Sequence, residues 1–179
     1  FLVATDTFWV AASVAPVPSP GPAPTNYPAN TAGSTIDEDI TAVTIASLVN
    51  NQPAPNCALY TDYTALPAPV ITPGSSYPFS ITIGDCENAT PFASGVAMYI
   101  DYNRDGDFDD IDEQAYTTVV TTSALSWTVS GNFTVPVTAS IGFTRVRIIN
   151  AEGIASPTSN QAYTYGETED YLVQIGSTV

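Results

Sequence analysis

The chain has 179 residues, and its 18 acidic side chains face only three arginines, with no lysine and no histidine, for a formal charge of −15. That balance excludes nucleic acid and direct insertion into anionic membranes, because both need basic patches that displace counterions. Without histidine the chain alone cannot build a Ser-His-Asp triad, a Cys-His pair or an HExxH zinc site. No apolar run reaches the roughly 18 to 20 residues needed to span a bilayer. Thr, Val, Ala, Pro and Tyr are abundant while Lys, Arg, Gln and Leu are scarce, so composition favours an all-β chain.

Phe1 to Val14 carries aromatic and β-branched residues on both alternating faces, as a strand buried on both sides does. It is the end of a preceding Ig-like repeat, a strand donated to an identical subunit, or a strand completing the same domain, and it lacks the basic start of a signal peptide. Residues 15–35 are rich in proline and read as an extended, semi-rigid linker, leaving 36–179 as the main domain. Within Ile36 to Val49, Ile36, Ile40, Val43 and Ser47 follow a helical period, but Ile40 to Ile45 is dense in strand formers and is read as strand. Further strands are expected over Cys57 to Thr64, Ser76 to Ile83, Gly95 to Ile100, Gln114 to Val120, Leu125 to Val135, Phe143 to Asn150 and Asp170 to Ile175. Many short strands separated by turn signals predict a β-sandwich or jelly-roll-like arrangement. Cys57 and Cys86 are too few for a zinc cluster and are expected to form a disulfide.

The densest chemistry lies between Asp101 and Glu113, where seven carboxylates fall within thirteen residues. With Asp101 as position 1 of a calcium loop, Asn103, Asp105, Asp109 and Asp112 fall at positions 3, 5, 9 and 12, and the Asp107 carbonyl at 7. Gly106 occupies position 6, where the loop turns sharply, and Glu113 is a substitute for Asp112 as the closing carboxylate. An all-oxygen ligand set suits calcium. The flanks are strand-like, so the loop is not an EF-hand but a staple between strands.

Arg145 and Arg147 are two apart and share a strand face. The acidic stretch Gly166-Glu167-Thr168-Glu169-Asp170, read as a turn leading into an apolar strand, offers Glu167, Glu169 and Asp170 as their ion-pair partners. This motif, with Tyr60-Thr61-Asp62-Tyr63-Thr64, Pro73-Gly74-Ser75-Ser76-Tyr77, the Ile100 to Phe108 stretch, Val135-Pro136 and Thr144-Arg145-Val146-Arg147, resembles the GEVED domain family in order and content. Thr168 replaces the family's Val. The resemblance covers about residues 37 to 176 and implies a β-rich accessory module of secreted or surface-attached bacterial proteins, with no catalytic role of its own.

The expected function is therefore a calcium-stabilised structural or adhesive module at a bacterial cell surface. Its partners would be neighbouring domains or identical subunits, joined through Phe1 to Val14. The rival reading is a carbohydrate-binding module facing a surface glycan, with Trp9, Trp127 and the tyrosines as stacking surfaces.

Overall fold

A computed structural model describes residues 20–34, 36–52, 56–87, 92–119 and 124–176. The expected strand at Phe1 to Val14 and the first residues of the expected linker lie outside the described residues. Eleven strands follow in order: β1 (Ala32–Ser34), β2 (Glu38–Ile45), β3 (Leu48–Asn51), β4 (Tyr60–Asp62), β5 (Val70–Ile71), β6 (Ser76–Asp85), β7 (Ser94–Ile100), β8 (Gln114–Thr117), β9 (Ser126–Thr134), β10 (Gly142–Glu152) and β11 (Tyr163–Ile175). The described residues contain strands and no helix, so none is long and apolar enough to cross a membrane.

Two sheets face each other, as the β-sandwich expectation requires. One runs β3-β2-β6-β9, and the other β1-β11-β10-β7-β8. In the second, β11 pairs with β10 along one edge, while three short parallel segments, β1, β4 and β5, occupy its other edge in turn. β11 begins at Tyr163, so the acidic motif expected in a turn lies inside the longest strand.

Alternation along these strands sorts the side chains into two apolar layers. Ile40, Val43, Ile81, Ile83, Met98, Ile100, Val146, Ile148, Tyr171, Val173 and Ile175 fill the space between the sheets. Ala97, Tyr99, Phe108, Ile149, Ala151 and Tyr163 form a second cluster on the outer face of the larger sheet.

That outer face is covered by residues expected in an extended, semi-rigid linker. Proline-rich backbone cannot join a sheet regularly, but its carbonyls remain strong acceptors, and arginines take them up. Arg147 Nη1 donates to the Pro28 carbonyl at 2.6 Å, and Arg104 Nη2 donates to the Pro22 carbonyl at 2.6 Å. Phe143 N–H donates to the Gly21 carbonyl at 2.9 Å. Tyr27 stacks on Phe108 with ring centroids 5.1 Å apart, and the Arg145 guanidinium lies 4.4 Å from the Tyr27 centroid. This stretch is a strap bound to the domain.

Gly166 shows why the motif starts with glycine. Its φ is +122°, and a Cβ there would stand 2.1 Å from the Asn150 carbonyl oxygen of β10. Backbone cannot yield as a side-chain tip can, so Gly166→Ala is expected to destabilise by at least about 1 to 3 kcal/mol. Chemical denaturation measures this, and an unchanged midpoint would contradict it.

Candidate metal centre and the acidic motif of β11

The acidic loop leaves β7 and re-enters the sheet at β8. Asn103 Oδ1, Asp105 Oδ1 and Asp107 Oδ1 each accept the backbone N–H two residues on, at 2.9, 3.3 and 3.0 Å. These successive side-chain-to-backbone turns curl the loop so that its acidic groups converge. Gly106, with φ +98°, makes the sharp bend expected of it.

Carboxylate oxygens of Asp105, Asp107 and Asp110 lie within 4.8 Å of one another. Asn103 Nδ2 donates to Asp105 Oδ2 at 2.9 Å and to Asp110 Oδ2 at 2.5 Å, which places Asn103 beside the trio. Asp110 was not singled out by the loop spacing; Asp109 and Asp112 are exposed and stand outside the trio. The difference arises in a turn, since Glu113 N–H donates to the Asp110 carbonyl at 3.1 Å and swings residues 110–113 off the template.

Asp101 and Glu113 form the buried floor, at 0% and 1% exposure. Asp101 accepts the backbone N–H groups of Arg104 and Gly106 at 2.5 and 3.2 Å and the Tyr27 hydroxyl at 2.6 Å. Burial and this bond to Asp101 hold the Tyr27 phenol well above its usual range. Glu113 Oε1 accepts the Tyr102 N–H at 3.0 Å, while Oε2 is buried without a hydrogen-bond partner. Desolvation, followed by the charge of Asp101, pushes Glu113 up to about 7. A cavity of about 210 Å³ bordered by Asn103, Asp110, Asp112 and Glu113 lies alongside. An all-oxygen donor set with an unsatisfied buried carboxylate oxygen fits a hard divalent cation, calcium in particular, and such an ion would neutralise charges that otherwise repel.

The acidic motif of β11 divides by strand parity. Asp170 lies on the outer face, opposite Arg147 in register, and the two make a bidentate pair at 2.8 and 2.9 Å. Arg145 Nη1 reaches the same carboxylate at 3.1 Å. Glu167 and Glu169 were expected to share these arginines. They lie on the other face with Tyr171 and Val173, so both point between the sheets.

There they join the sheets. Glu167 accepts the Ile40 N–H at 3.0 Å, at the irregularity where β2 shifts register against β6, and the Thr61 hydroxyl at 2.7 Å. Glu169 accepts from Gln52 Nε2 at 3.0 Å and from the Tyr171 hydroxyl at 2.7 Å. Asp39, absent from the sequence expectations, sits against Glu167 and accepts the Asn56 N–H at 2.9 Å. Desolvation first, then neighbouring carboxylates, raises Glu167 far above its ordinary range, and Glu169 is pushed up to about 8 chiefly by burial. Burial and mutual repulsion thus favour the protonated forms of Asp39, Glu167 and Glu169 alike. The remaining position, Thr168, donates to Asn30 Oδ1 at 3.0 Å under the strap, a polar contact the family's Val would lack.

A pH dependence follows. These carboxyls bind protons more tightly in the folded chain than in the unfolded one, so their stabilisation is complete below about pH 4.5 and is lost as pH rises through about 8. Each contributes a slope of at most about 1.4 kcal/mol per pH unit across that window. Melting temperature is expected to fall between pH 5 and 9, and Asp39→Asn, which keeps a hydrogen-bonding group beside Glu167, is expected to flatten the decline. A melting temperature that rises over this range would contradict the assignment.

Cys57 and Cys86 form a disulfide, with Cα atoms 5.7 Å apart. It ties the segment before β4 to the end of β6.

Two facing sheets, a strapped outer face and a motif joining the layers define a β-sandwich module built around its last strand. Residues 95–174 match the model of the GEVED domain family. Solved structures similar to the chain include a CARDB domain from Pyrococcus furiosus in complex with di-metal ions, at 12% identity, covering 83% of this chain and 95% of that one, with a TM-score of 0.41. The GspB Siglec domain aligns at 16% identity over 62% of this chain and 55% of that one, with a TM-score of 0.33. A family 123 glycoside hydrolase from Clostridium perfringens aligns at 12% identity over 78% of this chain and 28% of that one, with a TM-score of 0.40. At such scores these likenesses carry no argument about function. No curated protein matches the sequence.

Proposed function

We propose that this chain is an extracellular structural or adhesive module of a bacterial surface or secreted protein, held in its working conformation by calcium at the loop between β7 and β8. The observation that carries the reading is the convergence of Asp105, Asp107 and Asp110 above the buried, half-satisfied Glu113. Asp101, Asn103, Asp105, Asp107 and Glu113, with Asp110 added, are the groups around the ion; Asp109 and Asp112 complete the spacing-based set as outer, exposed carboxylates. Calcium acts by linkage, binding the folded loop and not the unfolded chain. The disulfide supports an oxidising compartment.

The same loop touches the strap. Tyr27 bonds Asp101 and stacks on Phe108, and Pro24 Cβ lies 3.5 Å from where a Gly106 side chain would begin. Calcium would therefore stiffen the route by which preceding chain enters the domain, as suits a load-bearing unit. Joining to neighbouring domains or identical subunits through Phe1 to Val14 belongs to this proposal. Size-exclusion of the chain with and without those residues tests it, and a monomer in both forms would remove that part.

The carbohydrate-binding alternative gains little support from ring placement. Trp127 packs half-buried against the core, Tyr60 stands apart on β4, and the two exposed rings that meet, Phe92 and Tyr165, border a cavity lined mainly by carboxylates. Calorimetric titration of the calcium-free chain with calcium chloride, before and after Asp105→Ala, tests the main reading; unchanged binding in the variant would contradict it.

A further inference from the structure

At the end of the sandwich away from the loop's ligand trio, a cavity of about 460 Å³ is lined by Asp37, Asp85, Glu87 and Glu152, together with Phe92 and Tyr165. Three strand ends from both sheets supply its acids: Asp37 precedes β2, Asp85 and Glu87 close β6, and Glu152 closes β10. Glu38, next in sequence to Asp37, stands behind this lining, within electrostatic reach of Glu152 and Asp37. It is 5% exposed, stands directly opposite Asp85 in the β2–β6 register, and accepts the N–H of Phe92 at 3.0 Å through Oε1. Its Oε2 is buried with no hydrogen-bond partner, and so is Oε2 of Glu152.

Five carboxylates thus gather where like charges directly opposed across strands are destabilising. The chain has no counter-charge to send there. Its three arginines are the only basic side chains in the sequence. Arg104 is spent on the carbonyls of Pro22, Ile141 and Phe143, while Arg145 and Arg147 pair with Asp170. The geometry is nonetheless tied down. Cys86 N–H donates to the Asp37 carbonyl at 2.9 Å, the Cys57–Cys86 disulfide anchors the same turn, and Gly153 N–H bonds the Ala93 carbonyl at 2.8 Å beside Glu152. Acids held together by a disulfide and backbone bonds, with buried oxygens lacking donors, form a preorganised site for an external cation.

We propose that this pocket is a second divalent-cation site of calcium type, with Asp37, Glu38 and Glu152 as its ligand carboxylates and Asp85 and Glu87 adding negative field. Oxygen-only donors from three separate strand ends, around a cavity with room for water, match calcium's tolerance of irregular, high coordination better than the tight octahedron of magnesium. A cation there would bridge the two sheets beside the disulfide.

The test is a calcium chloride titration of the full chain by calorimetry, with stoichiometry checked by equilibrium dialysis. In the triple variant Asp105→Asn, Asp107→Asn, Asp110→Asn the loop is silenced, and one calcium per chain is expected to remain. Adding Glu38→Gln to that variant is expected to weaken the remaining site about tenfold or more, because affinity follows ligand charge. Glu87→Gln with Glu152→Gln repeats the test at less buried positions, and it decides the matter where Glu38→Gln fails to fold by circular dichroism. A triple variant that binds no calcium overturns the second site and leaves the loop site standing. Residual binding indifferent to Glu38, Glu87 and Glu152 overturns it too. If calcium survives the triple substitution at unchanged stoichiometry and is lost only with the glutamates, the second site stands and the loop reading fails.

Discussion

Replacing Asp170 with alanine is expected to destabilise the module by about 3 to 5 kcal/mol, the usual consequence of stripping one partner from a buried ion pair. Arg147 is 2% exposed and Asp170 fully buried, so no water can replace the lost carboxylate. The loss extends beyond the pair. Arg145 uses the same carboxylate, and the Tyr60 hydroxyl donates to it at 3.0 Å, so one substitution removes four hydrogen bonds from three side chains. Arg147 also holds the Pro28 carbonyl, which means the strap should loosen with it. Asp170→Asn keeps the shape and part of the bonding, and its loss should be clearly smaller. Urea denaturation of the two variants checks the order, and equal midpoints for wild type and Asp170→Ala would contradict the account.

The second large effect concerns the loop and changes sign with calcium. Without the ion, the charges of Asp105, Asp107 and Asp110 repel one another at about 1 kcal/mol per neighbouring pair at this distance in water, which outweighs the exposed hydrogen bonds that Asp105 accepts from Asn103 and Asp107. Asp105→Ala should therefore melt slightly above wild type in chelator. With calcium present the order should reverse. At a hundredfold excess over Kd, wild type gains about 2.7 kcal/mol that the variant cannot. Two melting curves for each protein reveal the crossing. If Asp105→Ala lies below wild type by the same amount in both conditions, the residue supports packing alone and the ligand role is lost.

Much of this architecture was legible in residue order. Strands β2, β6, β7, β9 and β10 were visible as β-branched and aromatic runs, and the calcium-type loop stood out because glycine and carboxylates share one spacing. The buried role of Glu167 and Glu169 was missed because charged residues usually face water. Parity carried the signal: both positions lie in phase with Tyr171, Val173 and Ile175, which are core residues, while Asp170 is in phase with Leu172 on the other face. The strap escaped for a different reason. Proline-rich composition reports that backbone cannot enter a sheet, and says nothing about arginines elsewhere that can take its carbonyls. Asp110 depended on a turn at 110–113 that no fixed template anticipates. Asp39 was hidden in a segment where helical and strand periods competed.

These elements make the motif's letters physical. Gly166 admits the β10 backbone, Glu167 and Glu169 reach across to β2 and the segment after β3, Thr168 meets the strap, and Asp170 gathers two arginines. Strand β11 thereby joins both layers and holds the entering chain.

The most direct measurement of the central claim is the melting temperature of the unmodified chain in calcium chloride and in excess chelator at one pH. The account predicts a higher melting temperature in calcium, rising further with calcium concentration as linkage requires. Superimposable curves in the two conditions would contradict it.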